Sequence, residues 1–158
     1  MSGISAATGI LAARDGLWAA ILAATEHRGY NIDRYYAAPE RLGSKMWVGL
    51  TDVDVTADVK NVGARQQFDE EIRLGVTLGA WVAGNGDVAA QDAFQKAYEI
   101  LSEIQTYIGQ DSQTRTLGGA VQWCLPGSMS NTGVEVDGGG YVVEIAAEFV
   151  CMHRVRPM

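Results

Sequence analysis

The most suggestive spacing in the chain is Gly84-Asn85-Gly86-Asp87-Val88-Ala89. It fits G-x-G-x-x-A, a pattern whose glycines bring backbone close to a pyrophosphate at a helix N-terminus. Two features oppose a dinucleotide there. The preceding residues alternate apolar and polar where a doubly wound sheet needs a strand apolar on both faces, and Asp87 sets a like charge against the phosphates. A tight turn with a helix cap accounts for the same residues. Asp52, Asp54 and Asp58 begin like a calcium loop, but Ala57 stands where glycine is needed and Gly63 where the bidentate glutamate belongs. Cys151 and His153 offer at most two metal ligands pointing the same way from a strand, and His27 is remote in sequence. Pro126-Gly127-Ser128-Met129-Ser130 lacks the second glycine of a nucleophile elbow, and two histidines leave few general bases. Asp69, Glu70 and Glu71 are consecutive, so on a strand they alternate between faces and form no carboxylate pair. Glu144 and Glu148 share a face and read as solvated surface. These residues predict no catalytic group, no cofactor and no metal.

The elements that carry them are organised around Arg65 to Val82. From Phe68 the even positions are Phe68, Glu70, Ile72, Leu74, Val76, Leu78, Ala80 and Val82, and the odd ones are polar or small apart from Trp81. A two-residue period marks a half-buried strand in an antiparallel sheet. At about 3.3 Å per residue such a strand spans roughly 50 Å, long for a domain whose radius of gyration should be about 15 Å. The sequence therefore predicts either a bulge at Gly75 or Gly79, or a strand that projects and pairs with another subunit. In the second case Asp69, Glu71 and Arg73, alternating in charge along its polar face, are the candidate subunit-interface residues.

Before it lie a helix expected from about Gly16 to Thr25 and closed by Gly29, with a further helical stretch ahead of Gly16, then a connector punctuated by Pro39 and Gly43, and a short strand, Lys45 to Leu50. Thr51 to Gly63 reads as a polar continuation or a loop. After it, a turn leads through Asp87 as N-cap into an amphipathic helix ending at Gly109. Its apolar series is Val88, Ala90, Phe94, Ala97, Ile100, Leu101, Ile104 and Ile108. A strand from Leu117 to Leu125 ended by Pro126-Gly127, a turn-rich loop or hairpin from Ser128 to Gly140 and an alternating strand from Tyr141 to Val155 complete the chain. The fold class is α+β: an antiparallel sheet of about four main strands with helices packed on one face.

The chain has 158 residues, 47% of them hydrophobic and 20% charged, which suits one domain with a single core. With 19 acidic against 12 basic residues its net charge of -7 opposes binding to nucleic acid or an anionic membrane. Cys124 and Cys151 each fall within a predicted strand and read as buried reduced thiols rather than a disulfide. The N-terminus lacks a basic region, and the most apolar run, Leu17 to Ala24, is shorter than the ~20 residues a membrane span needs. A soluble protein, cytoplasmic where it is made, is expected.

Several segments together resemble the tail terminator proteins of long-tailed bacteriophages. They are Arg34-Tyr35-Tyr36 with Pro39, Met46-Trp47-Val48-Gly49, Phe68-Asp69-Glu70-Glu71-Ile72, the helix Asp87 to Ile108, and Tyr141 to Phe149. The resemblance covers roughly Gly16 to Val155. It implies a virion protein of the tail or neck, without enzymatic activity or cofactor. Such a protein forms a homo-oligomeric ring, commonly a hexamer, that caps the tail tube, ends its polymerisation and joins it to the head. Its partners would be its own copies, the tail tube protein and neck or connector proteins, with DNA passing through the ring unread. The loop Ser128 to Gly140 would then touch tube or neck through Asn131, Thr132, Val134, Glu135 and Asp137. Another neck component, such as a connector or stopper, a tail tube subunit, or a small oligomeric ligand-binding or enzymatic α+β domain, are the competing readings.

Overall fold

The alternation beginning at Phe68 forms a 15-residue strand inside a six-stranded, mostly antiparallel sheet, in a computed structural model describing residues 4–5, 7–37, 45–59, 67–136 and 139–156. In chain order the elements are β1 (Ile4–Ser5), α1 (Ile10–Ala24), a 3₁₀ turn (Glu26–Asn31), β2 (Asp33–Tyr35), β3 (Met46–Val59), β4 (Phe68–Val82), α2 (Gly86–Gly109), α3 (Ser112–Arg115), β5 (Trp123–Glu135) and β6 (Tyr141–Val155). The protein is α+β. Its sheet holds six strands rather than about four, because Ile4–Ser5 and Asp33–Tyr35 add short parallel ladders to β6 and β3. Segments of two and three residues are too short to show a period, so the pattern of the sequence cannot announce them.

The length of β4 is absorbed within the chain itself. Every residue from Phe68 to Val82 pairs with β6, and β3 covers the other edge from Phe68 to Ala80. The expected projection of this strand is therefore corrected: it is central, not an edge. The expected bulge at Gly75 or Gly79 is also displaced. The irregularity lies in β3 between Leu50 and Val53, opposite Gly75, where a Cβ on that glycine would sit 2.4 Å from Thr51 Oγ1. A second bulge interrupts β5 between Pro126 and Met129, opposite Glu148 on β6. Gly75 and Glu148 face each other across β4 and β6, so the two bulges stand at one level of the sheet.

Ile72, Leu74, Val76, Leu78 and Ala80 are buried in one cluster with Leu17 and Ile21 of α1 and Ala97, Ile100, Leu101, Ile104 and Ile108 of α2. Fully burying each large aliphatic side chain is worth about 1.5–3 kcal/mol. Helix α1 ends at the expected place, with Thr25 as its cap in place of Gly29, and the helical stretch expected before Gly16 is continuous with it from Ile10. Gly16 lies inside the helix because a Cβ there would come within 2.8 Å of Leu117, so the glycine permits close contact with the turn after α3. In α2 the N-cap is Asn85 rather than Asp87. Val88 and Phe94, assigned above to its apolar stripe, are 81% and 37% exposed, while Ala89 and Ala93 are buried in their place.

The largest correction concerns the C-terminal half. Leu117 to Gln122 form turns, with Leu117 at a φ of 51°. The strand starts at Trp123 and runs through Pro126-Gly127 to Glu135, so most of the expected loop is strand. The bulge accommodates Pro126 and Gly127 inside the strand, where the sequence reads them as its end. Thr51 to Val59 continues β3, and β6 has the expected bounds. Pro39, Gly43, Gly63, Arg65 and Asp137 lie outside the described residues.

Candidate functional site: the polar face and the open edge of the sheet

The three consecutive acids at the start of β4 divide as strand geometry requires. Glu70 turns toward the core and is 4% exposed, a carboxylate in the apolar series. Its Oε1 accepts the Gly9 N–H at 3.0 Å and lies 2.9 Å from His153 Nδ1 on β6. This buried pair fastens the start of α1 to the sheet.

Asp69, Glu71 and Arg73 lie on the opposite face, in the central strand, and are engaged by residues of the same chain. Asp69 Oδ1 accepts the Arg154 Nε–H at 2.8 Å, and the carboxylate holds the Arg154 guanidinium pKa above its usual value. Arg73 bridges two acids, with Nη1 2.6 Å from Glu148 Oε1 and Nη2 3.1 Å from Glu71 Oε1. Glu148 also accepts the Ser128 N–H at 3.3 Å, inside the β5 bulge. Burial raises the Glu148 pKa, but the Ser128 hydrogen bonds and Arg73 outweigh it, so the net shift is downward.

Between the two bulges this face holds an open groove of about 480 Å³, lined by Thr51, Asp52, Asp54, Arg73, Ser128, Ser130 and Glu148 among others. Its three carboxylates against one guanidinium suit cationic or hydrogen-bonding groups more than anions. Higher on the same face Trp47 is buried over Gly79, where a Cβ would lie 2.3 Å from the indole ring.

Asn131, Thr132, Val134 and Glu135 sit on β5, all exposed. Among the described residues β5 pairs only with β6, so these side chains line an open sheet edge rather than a loop. From Trp123 to Val134 this strand carries no charged residue. Glu135 reaches the start of α2, where its Oε1 accepts the Gly86 N–H at 3.3 Å. The helix N-terminus that the G-x-G-x-x-A pattern would give to a phosphate is thus held by the protein's own carboxylate.

The cysteines are cross-strand neighbours, Cys124 opposite Cys151, and both are buried. The hydrogen bond that the Cys151 S–H donates to Cys124, together with burial, pushes the Cys151 thiol pKa far up, so it is a poor nucleophile. Among the described residues no group of three or more His, Cys, Asp or Glu is placed to hold a metal ion, and no helix is long and apolar enough to cross a membrane. What the arrangement offers is recognition: a polar groove and an uncharged strand edge. Sequence reasoning missed the Glu70–His153 pair, although a carboxylate in an otherwise apolar face was its signal. The chain matches no protein-family model, and none of the curated proteins compared with it is significantly similar.

Proposed function

We propose that this chain is a structural subunit of a phage tail terminator ring, which caps the tail tube and presents the face joined to the head. The observation that carries the reading is the edge of β5: a 13-residue strand, exposed from Leu125 to Glu135 and uncharged through Val134. Soluble proteins blunt such edges with charge, short length or a cover, and this one bears only Pro126 and a bulge. A neighbouring subunit supplies the cover. In this reading the face of the sheet that holds the acidic groove lines the channel. Its excess of carboxylates keeps a passing genome from adhering.

A head-to-tail contact closes into a ring when the rotation per subunit divides the circle, and otherwise gives filaments. Six subunits is the number that the family resemblance implies. Native mass spectrometry and negative-stain electron microscopy, with and without tail tube protein, test the reading. The expected result is a closed ring that seats on tube ends and halts their growth. A monomer under both conditions would replace it with a small binding or enzymatic domain.

A further inference from the structure

Two edges of the sheet are open, and they are matched. Among the described residues β5 has no strand on its outer side; on the other edge β2 covers Trp47 to Gly49 of β3 and Arg14 Nη1 donates to the Thr51 carbonyl at 2.9 Å, leaving Leu50 to Val59 with β4 as their one strand partner. Strand directions alternate across the sheet, so β3 and β6 run one way and β4 and β5 the other. A second copy in the same orientation, bringing its β3 against β5, therefore meets it antiparallel and continues the alternation.

Charge discriminates between the possible pairings. Asp52 and Asp54 on β3 set like charges opposite one another if two β3 edges meet, which opposes that contact. The uncharged edge of β5 imposes no such penalty on β3.

The helix layer repeats the match. Phe94 and Tyr98 of α2 stack with ring centroids 6.3 Å apart and are 37% and 48% exposed. At about 100° per residue they lie on the flank of α2 opposite Glu99 and Glu103. Those two acids bind Arg28, just after α1, so the aromatic flank turns away from α1, toward the β5 end of the sheet. At the β3 end, Trp18 and Leu22 of α1 line an open hollow of about 660 Å³ with Ile32.

We infer that subunits of this protein join head to tail, β5 of one copy adding to the Leu50–Val59 edge of β3 in the next, with Phe94 and Tyr98 seated against the Trp18–Leu22 hollow. This rests on the ring reading above and names the surfaces that make the ring.

Cysteine cross-linking of the full chain tests it. Thr132→Cys on β5 and Thr56→Cys on β3, mixed as single variants and treated with a short bismaleimide, should give a covalent dimer. The double variant should give a ladder up to the ring, and Thr132→Cys alone should give no cross-link. Cross-linking of Thr132→Cys to itself would mean two-fold β5 pairing and would overturn the inference. Successive N–H groups on a strand point to opposite edges, so one of Asn131→Pro and Thr132→Pro removes an outward donor. The variant that melts like the wild type should fall from ring to monomer, as should Phe94→Ala combined with Tyr98→Ala. Rings that persist in all of these without cross-links would sink the edge assignment and leave the ring reading intact. A wild type that is monomeric alone and with tail tube protein would end both.

Discussion

Replacing Glu70 with alanine should be the most damaging single change at the start of the central strand. The carboxylate is 5% exposed and holds two groups, the Gly9 N–H at 3.0 Å and His153 Nδ1 at 2.9 Å. Deleting it leaves two buried groups, the Gly9 N–H and the His153 ring nitrogen, without their partner, at about 1–3 kcal/mol each and so about 2–6 kcal/mol together. Against a stability of roughly 5–15 kcal/mol, that is a large share. For a chain of this length each kcal/mol moves Tm by about 2–4 °C, so a fall of roughly 4–24 °C is expected. The control is one residue away. Glu71 faces the other side of the sheet and pairs with Arg73 at a side-chain exposure of 37%, so Glu71→Ala should cost about 0–1 kcal/mol. Urea unfolding followed by circular dichroism measures both variants. Amide exchange across the first turn of α1 locates the loss, since Gly9 is the cap of that helix. If Glu70→Ala unfolds within about 1 kcal/mol of the wild type, or no further from it than Glu71→Ala, the claim that this pair anchors α1 is refuted.

Leu74→Ala and Ile104→Ala should each cost about 2–5 kcal/mol in chemical denaturation, because both side chains are fully buried in the shared core. Phe94→Ala should stay within about 0.5 kcal/mol in the same assay, as expected for a surface change. Gly79→Ala should destabilise by about 1–3 kcal/mol, since its Cβ would lie 2.3 Å from the Trp47 ring and 2.5 Å from the Val143 carbonyl oxygen. Gly109→Ala, with open space around it, should stabilise slightly in parallel melts. Acid titration should expose Glu148: its folded pKa lies below its ordinary value of 4.5, so its contribution is complete above that value and is lost as pH falls through the folded pKa. Glu148→Gln should flatten that part of the stability-against-pH curve, and an unchanged slope would count against the Ser128 and Arg73 contacts as its cause.

What the sequence displayed and what it hid divide along a physical line. The half-buried strands β4 and β6 and the core side of α2 were legible because a period of two or of about 3.6 records which side of an element meets the core. Val88 and Phe94 were misassigned because apolar residues at the margin of a stripe satisfy the period without being buried. β5 was illegible for a deeper reason. It packs almost no side chains into the core beyond Cys124, so nothing selects alternation along Pro126 to Glu135, and proline, glycine, serine and asparagine there imitate a loop. Its strand character comes from the backbone ladder to β6, which is indifferent to side-chain type. The same cause bears on function. A strand under no demand to fill a core and under no visible demand to carry charge is free to be selected for what its outer edge meets. The long strand that suggested assembly from the sequence is satisfied inside the chain, and the ring proposed above rests instead on the strand that the sequence concealed.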